Sequence, residues 1–193
     1  MKTIGITGGI GSGKTVVATL LGVMGIPVYI ADEESKKLTD SSPIIREQLT
    51  ALFGSELYTP EGLNRPLLAS HIFGDPERLE KVNAIIHPEV NRHFLQWVKQ
   101  QESDLAAIES AILFESGFDR IVDVSLMVYA PQALRIERAC RRNAVSREEV
   151  ERRIQSQLSD EIKKEKANYV IYNDDLRAII PQTEAIIAAI RQG

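Results

Sequence analysis

Eight consecutive residues, Gly8-Gly9-Ile10-Gly11-Ser12-Gly13-Lys14-Thr15, satisfy the pattern G-x-x-x-x-G-K-[ST]. Each residue type answers a chemical need. Gly9, Gly11, Ser12 and Gly13 let the backbone curl so that successive N–H groups converge on phosphate oxygens. A helix opening at the lysine adds partial positive charge at the same point. Lys14 can bridge the β- and γ-phosphates, and the Thr15 hydroxyl is a hard oxygen ligand suited to Mg²⁺. Chance would place this pattern in about one chain of this length per hundred. Its context lowers that further, because an apolar strand precedes it and a helical pattern follows. A dinucleotide reading fails, since G-x-G-x-x-G does not occur in the right place. The segment is a binding loop for a nucleoside triphosphate.

A second concentration of chemistry lies between residues 135 and 153. Seven arginines (135, 138, 141, 142, 147, 152 and 153) stand there with four glutamates and no lysine. Arg147, Arg152 and Arg153 read equally well as members of i,i+4 pairs with Glu148 and Glu149 on a solvated helix. Arg138 and Arg142 differ. They are four apart, share one helix face, and have no acidic residue between them. Their planar forks suit phosphate oxygens, and phosphoryl transfer needs cations over the γ-phosphate, often carried by a mobile element. The stretch reads as an arginine-rich lid.

Asp32 follows the second strand, where a parallel sheet places its ligand-facing loops; it reads equally as a helix N-cap before Glu33-Glu34-Ser35. Arg65 in Leu-Asn-Arg-Pro and His87 in Ile-Ile-His-Pro are ambiguous in the same way. His71 and His93 carry no functional reading, and three histidines so spaced make no metal site.

These residues must be held by elements that the rest of the chain specifies. It has 193 residues, 44% apolar, with a formal net charge of −4. That balance argues against a dedicated nucleic-acid binder, and Cys140, the single cysteine, excludes a disulfide framework. No membrane span or signal-peptide pattern is present, which fits a cytoplasmic protein. Short β-branched runs at 2–7, 26–30, 106–109, 124–129 and 169–172 read as strands. Helical patterns separate them, from about Gly13 to Met24 (buried face Val16, Val17, Leu20 and Leu21) and over 175–191. The expected fold is α/β, a phosphate-loop NTPase-type doubly wound parallel sheet of about five strands. Two helical insertions interrupt it. The layout is core over 1–31, a helical insertion over 32–103 with no strand, core over 104–130, a helical lid over 131–168, and core over 169–193. Pro76 and Pro88 suit first helical turns.

Taken together, the chain resembles the dephospho-CoA kinases over nearly its whole length. The resemblance runs through Ile6-Thr-Gly-Gly-Ile-Gly-Ser-Gly-Lys-Thr15, Asp32, Gly62-Leu-Asn-Arg65 with Leu68, Ile86-His87-Pro88, Leu113-Phe114-Glu115, Arg138, Arg142 and Gln157. The ordered combination is far more specific than the loop alone. Ala111, Ile30, Asn143 and Tyr172 depart from the usual family residues at their positions. The resemblance implies transfer of the ATP γ-phosphoryl to the ribose 3′-hydroxyl of dephospho-CoA, with Mg²⁺ as cofactor. It also implies that Lys14, Asp32 and Arg138 are catalytic, Asp32 accepting or orienting the acceptor's proton. Arg65 and His87 would lie in the acceptor-binding insertion, Arg138 and Arg142 on ATP phosphates, and Asn173 near the adenine. Alternatives are another small-molecule kinase with a different acceptor, or a nucleotide-dependent switch. The Asn-Lys-x-Asp of guanine-reading switches is missing from the sequence.

Overall fold

The computed structural model describes residues 1–143 and 145–193; the side chain of Asn143 lies outside the described residues. Two compact units emerge, Met1–Tyr29 with Gln101–Gly193, and Ile30–Gln100.

The first unit is built on β1 (Lys2–Thr7), whose near-continuous β-branched run is buried from Thr3 onward. The five-stranded sheet has the order β2-β5-β1-β6-β7, with β2 at Val28–Ile30, β5 at Leu105–Glu109, β6 at Val124–Tyr129 and β7 at Tyr169–Tyr172. β1 pairs in parallel with β5 and β6, and β6 with β7. Gly5 in mid-strand has a packing reason, since a Cβ there would lie 2.8 Å from Leu113 Cδ1. The chain crosses from one side of β1 to the other between β5 and β6. In such sheets the ligand crevice opens at the carboxyl ends of the strands beside that crossing.

Helix α1 (Lys14–Val23) buries Val17, Ala18 and Leu21. Val16, expected inside, is 56% exposed. The phosphate loop turns the helix so that the 17-18-21 stripe meets the sheet.

The second unit holds α2 (Ala31–Ser41), α3 (Pro43–Phe53), a short ribbon of β3 (Tyr58–Thr59) and β4 (Gly62–Leu63), α4 (Arg65–Ile72) and α5 (Pro76–Val98). Its core is Ile45, Leu49, Leu57, Tyr58, Leu68 and Val82. Ser42, Asn64 and Asp75 accept main-chain N–H groups at the starts of α3, α4 and α5, each followed by proline in the first turn. Two expectations are corrected here. The 58–63 ribbon is a strand pair inside a segment read as strandless, because two residues per strand carry no alternation to detect. Pro88 lies inside α5 rather than at a helix start. Its ring removes one helical donor, and the burial of Val82, Val90 and Phe94 on either side holds the helix together.

The remaining helices belong to the first unit: α6 (Gln132–Asn143), α7 (Arg147–Gln155), α8 (Asp160–Lys166) and α9 (Ile179–Gln192). α9 begins four residues later than its periodicity suggests. The Asp174 carboxylate accepts the N–H groups of Leu176 and Arg177, and Asp175 has a positive φ of 63°, which together form a turn ahead of the helix.

Candidate active site

The phosphate loop leaves the carboxyl end of β1 and delivers Lys14 at the start of α1. The Lys14 ammonium donates to the Gly8 carbonyl at 2.9 Å and reaches Gly9 O at 3.5 Å, so it arches over the loop. Gly13 precedes the helix with φ 99°, a conformation that disfavours any side chain. Thr15, in the first turn of α1, is exposed.

Three groups brace this loop from within the same unit. Asn173, just after β7, donates its side-chain amide to Ser12 O at 2.8 Å. It packs so closely that a Cβ on Gly13 would lie 2.2 Å from Asn173 Nδ2. Arg138 donates from Nη1 to the Asn173 carbonyl at 3.0 Å and pairs with Asp175. Ile10 packs on the apolar cluster of Ile136 and Ala139 on α6 and Val150 on α7. The arginine-rich helices therefore rest directly on the loop.

Arg135 is the third brace, and the sequence did not single it out from its neighbours. It is only 2% exposed. Its Nη2 pairs with Asp160 Oδ2 at 2.6 Å, and its Nη1 reaches the Ile10 carbonyl at 3.4 Å. Burial pushes the Asp160 carboxyl up, and the Arg135 guanidinium opposes that, with smaller help from Lys163 and Lys14. One turn along α8, the fully buried Lys163 donates to Ala111 O at 2.6 Å and to Glu115 Oε1 at 3.0 Å. Glu115 also accepts the Leu158 N–H at 2.8 Å. Glu115 belongs to the Leu-Phe-Glu signature, so its position was legible. Its lysine partner 48 positions later was not.

Not all arginines converge on the loop. Arg142 is one turn beyond Arg138 on α6 and exposed. Arg147 pairs with Glu151, and Arg153 with Glu149, as solvated i,i+4 pairs. The first of these takes Glu151 rather than a residue of the 148–149 pair.

The other sequence candidates lie in the second unit. Asp32 is exposed in the first turn of α2, whose N-cap is Ile30, so it is not the cap residue. Arg65 opens α4 and pairs with Asp40 of α2 at 2.6 Å, also donating to Lys36 O. His87 is half-buried in α5, and burial lowers its pKa below the ordinary 6.5. A group of three or more metal-binding side chains is not found among the described residues. A lone hydroxyl such as Thr15 fits Mg²⁺ nonetheless, because this ion is commonly held by one or two protein oxygens together with substrate phosphates and water.

The family model for dephospho-CoA kinase matches residues 2–178. A dephospho-CoA kinase of Bacteroides fragilis is 52% identical over 190 residues, covering 98% of this chain and 93% of its own. The chain belongs to the dephospho-CoA kinases. A Porphyromonas gingivalis member is 47% identical over 192 residues, covering 99% and 95%. Among solved structures, one from Thermus thermophilus superposes with a TM-score of 0.82 at 35% identity, covering 99% of this chain and 96% of that one. A Campylobacter jejuni dephospho-CoA kinase, at 22% identity, shares the fold with a TM-score of 0.68 and covers 100% and 97%. A shikimate kinase from Acinetobacter baumannii shares it more distantly, with a TM-score of 0.56 at 17% identity over 100% and 94%. The kinase is thus an ATP-dependent phosphotransferase that converts dephospho-CoA to CoA. No helix among the described residues is long and apolar enough to cross a membrane.

Proposed function

We propose that this dephospho-CoA kinase works by positioning and charge stabilisation at the Gly8–Thr15 loop, with Asp32 serving the acceptor hydroxyl. The observation that supports this most is the Lys14 ammonium arched over loop carbonyls at the mouth of a strand–loop–helix. An incoming triphosphate offers that cation stronger acceptors than two carbonyls. The loop N–H groups then stabilise charge as it spreads over the transferring phosphoryl oxygens. Arg138 and Arg142 supply further cations from α6, and Asn173 lies on the nucleotide side. Thr15 would hold Mg²⁺, which when bound neutralises phosphate charge.

Asp32 would accept or orient the proton of the ribose 3′-hydroxyl, an oxygen too weakly acidic to attack well unassisted. Arg65 and His87 would belong to the acceptor's binding surface, with Arg65 already placed by Asp40. The arginine-rich helices would exclude water, which otherwise competes for the phosphoryl group. The reaction takes place in the cytoplasm and involves neither nucleic acid nor membrane in this reading.

Two variants test the division of labour. Lys14→Ala should lower kcat on the order of 10²- to 10³-fold with the fold intact by circular dichroism. Asp32→Asn should lower kcat on the order of 10²-fold while ATP affinity stays within about twofold. Wild-type turnover in Lys14→Ala contradicts the loop's role. Loss of ATP affinity with turnover of bound ATP preserved contradicts the role of Asp32.

A further inference from the structure

We propose that Asp160 and Arg135 act as a pair of positioning residues for ATP: Asp160 fixes the Arg135 guanidinium against Gly9 and Ile10, with the Arg135 backbone against Gly11, and so sets the shape of the phosphate loop. The proposal rests on the loop being the triphosphate site.

The geometry is specific. A Cβ on Gly9 would lie 1.5 Å from Arg135 Nη1 and 3.2 Å from Asp160 Oδ1. A Cβ on Gly11 would lie 2.2 Å from the Arg135 carbonyl oxygen. Two of the loop's glycines are therefore needed for the approach of one arginine, by its side chain and by its backbone. The guanidinium keeps Nη1 on the Ile10 carbonyl and Nη2 on Asp160. Its Nε is buried and has no partner among the described residues. A buried cation so thinly satisfied depends on its one counter-ion. Removing the Asp160 charge frees the guanidinium to leave the loop for solvent.

Asp160 is itself held in place. It begins α8, whose Lys163 is anchored to Ala111 and Glu115 in the turn that follows β5. Thr7, at the end of β1, also donates to Ala111 O at 3.5 Å. The counter-ion's helix is thus tied, through Ala111, to the end of the strand that bears the loop. The pair also lines a cleft of about 450 Å³ bounded by Tyr129, Gln132, Gln157 and Leu158. Misplacing loop donors by a fraction of an ångström to 1 Å is enough to matter for phosphate binding and transfer.

A salt bridge that merely joined α8 to α6 would alter stability alone. Steady-state kinetics with ATP and dephospho-CoA varied separately distinguish the two roles, with thermal midpoints recorded in parallel. Asp160→Asn and Arg135→Met should each raise KM for ATP on the order of tenfold, with KM for dephospho-CoA within about twofold. The double variant should be little worse than either single one, because the residues act as a unit. Arg135→Lys and Asp160→Glu keep the charges and should recover much of the ATP affinity. They also serve if the neutral variants do not fold. An unchanged KM for ATP with only a lower thermal midpoint overturns the proposal, as does additivity of the two substitutions. Lys14→Ala separates the levels. If it keeps full turnover, the loop reading itself is wrong; if it is inactive while the pair variants keep their ATP affinity, only the pair proposal fails.

Discussion

Gly13 carries two separate demands at a single residue. Its φ of 99° disfavours a side chain, and Asn173 fills the space a Cβ would need. Gly25 has a similar φ of 79° but nothing within 4 Å of its missing Cβ. Gly25→Ala should therefore cost about 1 kcal/mol of strain and leave KM for ATP unchanged. Gly13→Ala should cost more and raise KM for ATP at least tenfold, since it displaces the brace on Ser12 as well. Equal effects of both variants on ATP binding would show that Asn173 plays no part in shaping the loop. Lys14, Thr15 and the loop glycines were legible in the sequence because their geometry is local and their spacing fixed. Arg135 was not. Seven arginines in 19 residues look alike until burial sorts them, and the carboxylate that claims Arg135 is 25 positions away. Asp160 itself reads as an ordinary first-turn acid.

Helix α5 shows the balance between local signals and packing at the scale of elements. Its start was legible from Pro76, and the structure adds the cap before it, where the Asp75 carboxylate accepts the Arg78 N–H at 3.0 Å. Its length was not, because Pro88 is a local stop signal overridden by burial on both sides. The same burial acts on His87. The folded protein holds a proton on this imidazole less tightly than the unfolded chain does. As pH falls below about 6.5, the unfolded chain gains a proton that the folded one resists, so stability is fullest above that pH and declines below it. His87→Gln should flatten this dependence: between pH 7.5 and 5.5 its thermal midpoint should fall less than the wild-type midpoint. Parallel curves would contradict the assignment. The second unit's strand ribbon and the delayed start of α9 were hidden for a related reason. Both are set by turn chemistry at one or two residues, at Gly62 with φ 122° and at Asp174–Asp175, which side-chain periodicity does not record.

Across the whole molecule, the sheet and its class were legible because five short β-branched runs alternate with helical patterns, and central parallel strands are buried on both faces. The order of those strands was not, since pairing is decided by contacts between distant residues. An acidic chain with a concentrated arginine segment resolves into one unit that brings arginines onto a phosphate loop and another with its own apolar core. The central claim is that this arrangement serves one acceptor. The most direct test is ADP formation from Mg·ATP with dephospho-CoA, AMP, CMP, adenosine or no acceptor. Strong stimulation by dephospho-CoA alone, with CoA as the product, is the predicted result. Stimulation by one of the other acceptors instead, or slow ADP formation regardless of acceptor, would contradict the account.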